Sequence, residues 1–89
     1  KNIVLFFYKP DCQKCIREKR ILGLVKNRQK DLRILYINIS EDNYSNVSQD
    51  IINQYDIMTA PTIYVLDKDK RIIAKNIKAE EIEFHIIKR

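Results

Sequence analysis

The sequence predicts an α/β domain of order β-α-β-α-β-β-α, with a mixed four-stranded sheet and helices on both faces. Three observations predict it. The run Ile3-Val4-Leu5-Phe6-Phe7-Tyr8 is apolar at every position, which suits a strand buried on both faces. Cys12-Gln13-Lys14-Cys15 follows at the head of a helix-like segment, and Ala60-Pro61-Thr62 opens another apolar run some 45 residues later.

The first strand is expected over about Asn2–Tyr8. Lys9-Pro10-Asp11 makes the turn after it, with Pro10 discouraging helix at Lys9. A helix should run from about Asp11 to Gln29. Its apolar residues Cys15, Ile16, Ile21, Leu22, Leu24 and Val25 do not fall on one clean stripe, and Arg17-Glu18-Lys19-Arg20 leaves the first half polar. Gly23, the only glycine, lies mid-helix at a cost of about 1 kcal/mol relative to alanine. Close backbone packing is the expected reason, with a flexible hinge as the alternative. The second strand is Arg33–Ile39, and Glu41–Asn46 is a polar loop. Val47, Ile51 and Tyr55 recur at helical spacing, which places a short helix over about Asn46–Tyr55. Thr62–Leu66 is the third strand, Asp67-Lys68-Asp69-Lys70 a tight turn, and Arg71–Lys75 a fourth strand completing a hairpin. The last helix is expected over about Ala79–Lys88. Glu80, Glu81 and Glu83 lie at its start and His85, Lys88 and Arg89 at its end, complementing its dipole. A β-α-β unit requires parallel first and second strands, whereas the hairpin adds an antiparallel pair.

A chain of 89 residues forms a single domain, here residues 1–89. It begins with Lys1 rather than Met, so it reads as a piece excised from a longer protein whose targeting signal would lie upstream. No apolar run approaches the ~20 residues of a membrane-spanning helix. The net charge of +5 is placed unevenly. Ten Lys and Arg stand in residues 1–33 against Asp11, Glu18 and Asp31, while residues 34–67 carry five acids and no Lys or Arg. The positive field therefore surrounds the Cys12 end. It either favours a thiolate and attracts acidic partners, or is simply a solvated helix face. Nucleic acid is not an expected partner, because no recognition motif or interleaved aromatic accompanies the basic residues.

The two cysteines carry the chemistry. A bridge between residues three apart closes too short a loop to stabilise a fold much through unfolded-state entropy. On a helix, that same spacing puts both sulfurs on one turn. The first lies near the helix N-terminus, where unpaired N–H groups and the dipole favour negative charge. Since the thiolate is the nucleophile of disulfide exchange, Cys12 is the expected attacking thiol and Cys15 the resolving one. Lys14 should favour the thiolate and Asp11 oppose it.

The element order, Cys12-x-x-Cys15 after the first strand and Ala60-Pro61-Thr62 before the third together resemble the thioredoxin superfamily over nearly the whole chain. The segment from Phe6 to Cys12 looks most like thioredoxin-like domains of bacterial cell-envelope thiol–disulfide oxidoreductases. The resemblance implies a minimal thioredoxin-like fold and reduction or oxidation of protein disulfides. Pro61 would then be a cis-proline beside the sulfurs, with Ala60 the position that pairs with substrate backbone. It also implies a monomer that takes protein thiols or disulfides and an upstream redox partner, with no cofactor and no metal, located in the cell envelope or periplasm. There are departures. Asp11 stands where thioredoxin has Trp, and Gln13-Lys14 stand for its Gly-Pro. Phe6 replaces its buried acid and Tyr36 its lysine, so proton shuttling through that pair is absent or done differently.

Other readings remain at this point. A Cys-x-x-Cys after a first strand also occurs in soft-metal carriers, and two thiolates suffice for Cu(I). A thioredoxin-like module could bind an extended peptide beside Pro61 without exchange, and the thiols of a vestigial fold could serve no catalysis. His85 is expected as a helix C-terminal cation, Met58 as core filling beside Pro61 with substrate contact as the alternative, and Tyr8 as a sheet-packing aromatic with a place flanking the thiols as the alternative.

Overall fold

The computed structural model describes residues 2–40, 50, 53–55, 57 and 59–86. Strand β1 (Ile3–Tyr8) leads through a turn to helix α1 (Gln13–Arg28) and strand β2 (Arg33–Asn38). Residues 50 and 53–55 are helical. Strands β3 (Thr62–Leu66) and β4 (Ile72–Lys75) form the hairpin, and a 3-10 turn (Ala79–Glu81) runs into helix α2 (Ile82–Ile86). The expected positions Val47, Ile51, Met58, Lys88 and Arg89 lie outside the described residues.

The sheet order is β2-β1-β3-β4. β1 pairs parallel with β2, in register from Ile3 opposite Arg33 to Tyr8 opposite Asn38. It pairs antiparallel with β3, where Phe7 lies opposite Thr62, and β4 lies antiparallel to β3. The central position of β1 explains its unbroken apolar run, because strand residues alternate between faces and both faces of this sheet are covered. Val4 and Phe6 join Cys15, Leu22, Val25, Ile63, Val65, Ala79 and Ile82 on the α1 face. Leu5 and Phe7 join Ile37, Ile39, Tyr64 and Leu66 on the other, against Tyr55. Tyr64 donates its hydroxyl to the Tyr55 carbonyl at 3.1 Å, so the ring packs while its polar tip is satisfied.

The hairpin turn is built on Asp67. Its Oδ1 accepts from the Asp69 and Arg71 amides at 2.8 and 2.9 Å, and the Arg71 hydrogen bond chiefly holds its carboxyl below the usual carboxylate range. Lys70 takes the left-handed conformation at φ 67°, as the tight reversal requires. The last helical segment differs from the expected single helix. The Lys78 amide donates to Glu81 Oε1 at 2.8 Å, and the chain makes one 3-10 turn before α2 begins. Glu83 ties α2 to the end of α1. Its oxygens accept from Arg28 Nη2 at 2.6 Å and Gln29 Nε2 at 2.9 Å, and the Arg28 bond chiefly lowers its pKa.

Gly23 corrects the sequence reading. A Cβ built there meets nothing within 4 Å, and the residue faces solvent on the outer side of α1. No close approach demands glycine, and its φ is not positive. Gly23→Ala should therefore stabilise the domain by about 0.5–1 kcal/mol, by removing unfolded-state freedom and restoring helix propensity. Urea unfolding checks this as a higher midpoint at unchanged slope.

Candidate functional site

Helix α1 begins one residue after Cys12, later than the expected Asp11 start. Cys12 is the N-cap, with extended backbone at φ −103° and ψ 113°, and its Sγ accepts from the Cys15 amide at 3.0 Å. Sulfur here occupies the place of a capping oxygen, facing one of the orphan N–H groups of the first turn. No acid lies in that turn to oppose negative charge. Cys12 and Cys15 are joined in a disulfide, with their Cα atoms 5.1 Å apart. The two sulfurs differ in environment. Cys12 is half-buried and packs against the rim of the core, whereas Cys15 is 2% exposed within it.

Cys15 belongs to a stripe the sequence concealed. Cys15, Glu18, Leu22 and Val25 face inward at helical spacing. The stripe looked broken because its second member is a carboxylate. Glu18 is 6% exposed, and its Oε1 accepts from the Ala79 amide at 2.7 Å. That amide opens the 3-10 turn and has no helical partner of its own. Sequence reading missed Glu18 as a site residue. An acid at the second position of a 15-18-22-25 stripe was the available signal, hidden among the neighbouring charges. Glu18→Leu should cost about 1–3 kcal/mol by leaving the Ala79 N–H buried without an acceptor. Glu18→Gln keeps an acceptor oxygen and should lose clearly less, as paired urea titrations would show.

The other predicted site residues come to the same end of the sheet. The Ala60–Pro61 peptide bond is cis. Ala60 packs against both core clusters, and the one on the α1 face contains Cys15. Pro61 lines a groove of about 520 Å³ together with Lys14, the residue just before Cys15. Thr62 Oγ1 donates to the Thr59 carbonyl at 2.7 Å and so fixes the bend around Pro61. The cysteines, Ala60 and Pro61 are therefore brought together. Tyr8 stacks on Phe6 at 5.7 Å, and lines a separate small cleft with Cys15, Pro10 and Ile16. It is thus a sheet-packing aromatic that also lines a cleft with Cys15. Phe6, in the place of thioredoxin's buried acid, is wholly buried in the cluster that holds Cys15. His85 falls in the last turn of α2, away from this end. Among the described residues, no group of three or more His, Cys, Asp or Glu could hold a metal ion.

A sequence profile of the Glutaredoxin family matches residues 4–72, which span both cysteines and Pro61. The chain belongs to the glutaredoxin family. No curated protein sequence matches it. Solved structures show that this glutaredoxin-family domain has a thioredoxin-like fold. The thioredoxin domain of a thiol-disulfide oxidoreductase from Bacteroides vulgatus superposes with a TM-score of 0.79 at 19% identity, covering 98% of this chain and 80% of that one. Thioredoxin from Wuchereria bancrofti gives 0.77 at 21% identity, over 90% of this chain and 70% of that one. Thioredoxin f2 from Chlamydomonas reinhardtii gives 0.74 at 21% identity, over 99% and 82%. The mixed four-stranded sheet is thus a thioredoxin-like fold, and with the Cys12–Cys15 disulfide it supports a thiol–disulfide redox role. Among the described residues, no helix is long and apolar enough to cross a membrane.

Proposed function

We propose that this domain is a thiol–disulfide oxidoreductase acting on protein disulfides, with Cys12 as nucleophile and Cys15 as resolving thiol. The observation that carries the reading is the asymmetry of the pair. Cys12 Sγ sits at the N-terminus of α1 on the Cys15 amide at 3.0 Å, while Cys15 is buried one turn further on. The N–H group and the helix dipole favour a thiolate at Cys12. That thiolate attacks one sulfur of a partner disulfide, forming a mixed disulfide and releasing the partner's other sulfur as a thiolate, which takes a proton. Cys15, deprotonated, then attacks Cys12 Sγ. The Cys12–Cys15 bond forms, the mixed disulfide breaks and the second partner thiol leaves. Two electrons pass from the cysteine pair to the partner, and the reverse sequence oxidises a dithiol. Ala60 and Pro61 would border the partner's backbone. The domain would serve as a monomer, recharged by an upstream redox partner. A cell-envelope or periplasmic setting rests on the resemblance of the Phe6–Cys12 segment.

Limited alkylation tests the roles. The reduced protein, treated with substoichiometric iodoacetamide near neutral pH, should carry at least about tenfold more label on Cys12 than on Cys15, because thiolate character and exposure both favour it. Preferential labelling of Cys15 would overturn the assignment.

A further inference from the structure

Many basic residues of α1 lie on its exposed face, and the structure separates those that hold the fold together from those that do not. At the C-terminal end they are used internally. Arg28 is bonded to Glu83, and Lys26 Nζ donates to the carbonyls of Lys30 and Leu32. At the cysteine end, Lys14 and Arg17 form one wall of the groove beside Pro61, and Lys78 faces them from the segment after β4. Neither Lys14 nor Lys78 has an ion-pair partner among the described residues. Arg17 is 66% exposed at its side chain, with its guanidinium 3.8 Å from the nearer Glu18 oxygen. Among the described residues Glu18 is the only acid in the lining, and its other oxygen is already bound to the Ala79 amide. The groove thus carries three cations against one buried carboxylate, and its volume of about 520 Å³ admits a few side chains. The small cleft that Cys15 lines carries Lys9 and Lys19 at its rim beside Tyr8, Pro10 and Ile16.

Resting on the exchange reading, we infer that the substrates of this domain are protein disulfides whose cysteine is flanked by acidic residues, the carboxylates lying against Lys14, Arg17 and Lys78. Exposed cations along a groove beside Pro61 raise the local concentration of anionic partners and speed their encounter. They also favour the thiolate that the partner must meet.

The test uses three disulfide-bearing peptides that are identical except for the residues flanking the cysteine, which are Asp/Glu, Asn/Gln or Lys. Second-order rate constants for their reduction by the reduced protein are measured in stopped flow across a salt series. At low ionic strength the acidic peptide should react about tenfold faster than the basic one. The gap should close as the Debye length shrinks to about 3 Å near 1 M salt. Reversing the groove charges with Arg17→Glu and Lys78→Glu together should invert the preference, and the milder Arg17→Gln with Lys78→Gln should erase it. Lys30→Glu with Arg33→Glu, an equal charge change at the far end of α1, should leave the acidic peptide ahead. Equal rates for acidic and basic peptides would overturn the inference alone, as would an equal loss of preference in the groove and far-end pairs. No exchange with any of the three would overturn the exchange reading and the inference with it.

Discussion

Serine in place of Cys15 should turn the domain into a trap for its partners, while serine in place of Cys12 should leave it inert. Both changes remove turnover, and disulfide reduction should fall by about two orders of magnitude or more in each. The contrast lies in what accumulates. With Cys15→Ser, Cys12 still caps α1, still attacks a partner disulfide and forms the mixed disulfide. The hydroxyl at position 15 cannot displace it, so the covalent complex persists. With Cys12→Ser, the remaining thiol is the buried one, 2% exposed and set inside the cluster of Phe6, Leu22 and Val25. A partner disulfide cannot reach it without opening that cluster. Non-reducing electrophoresis after mixing each variant with a disulfide-bonded protein, followed by mass spectrometry of the adduct, reads the difference directly. Equal adduct from both variants would remove the ordering of nucleophile and resolver. A serine hydroxyl can accept from the Cys15 amide as the sulfur does, so Cys12→Ser should keep the helix cap and the fold.

What could be read from the sequence followed the periodicity of burial. β1 was legible because a central strand covered on both faces has no polar register, and Val4 to Phe7 are all buried. β3 was legible for the same reason, since Thr62–Leu66 is buried throughout. The Cys-x-x-Cys pair was legible because the chemistry of a helix N-terminus depends on local spacing alone, and the structure puts Cys12 at the N-cap. Where reading failed, the cause was a tertiary partner that the local pattern does not reveal. Glu18 looked like part of a solvated run, yet it points inward because the Ala79 amide, 61 residues away, needs an acceptor. Gly23 looked like a packing residue, yet it lies on the face of α1 with no neighbour. The first half of α1 seemed unpatterned because its inward stripe is narrow, while Ile16 and Leu24 are about half exposed. The charge asymmetry was visible from composition. Its division between cations bound to the fold and cations facing the groove required coordinates.

Phe6→Ala should strongly damage the scaffold. Phe6 is fully buried at the centre of β1, stacked on Tyr8 at 5.7 Å and edge-on to Tyr36 at 5.8 Å. Truncating a buried phenylalanine costs about 3–5 kcal/mol, as lost transfer energy plus the cavity left behind. Domains of this kind are stable by roughly 5–15 kcal/mol, so the variant should lose much of its margin and its urea midpoint should fall steeply. Phe7→Ala supplies the control. Phe7 is equally buried, but on the opposite face with Ile37 and Tyr64, and should cost a similar amount. The two variants should part at the cysteines. The Phe6 cavity opens within the cluster that holds Cys15, whereas the Phe7 cavity is separated from it by the sheet. In the reduced proteins, under conditions where both are fully folded, Phe6→Ala should therefore raise the alkylation rate of Cys15 several-fold above that of Phe7→Ala. Equal Cys15 rates at matched stability would mean that the ring supports the sheet without shielding the resolving thiol. A selective rise would show that apolar packing at Phe6, where thioredoxin keeps a buried acid, is what holds Cys15 away from solvent until Cys12 presents it with a mixed disulfide.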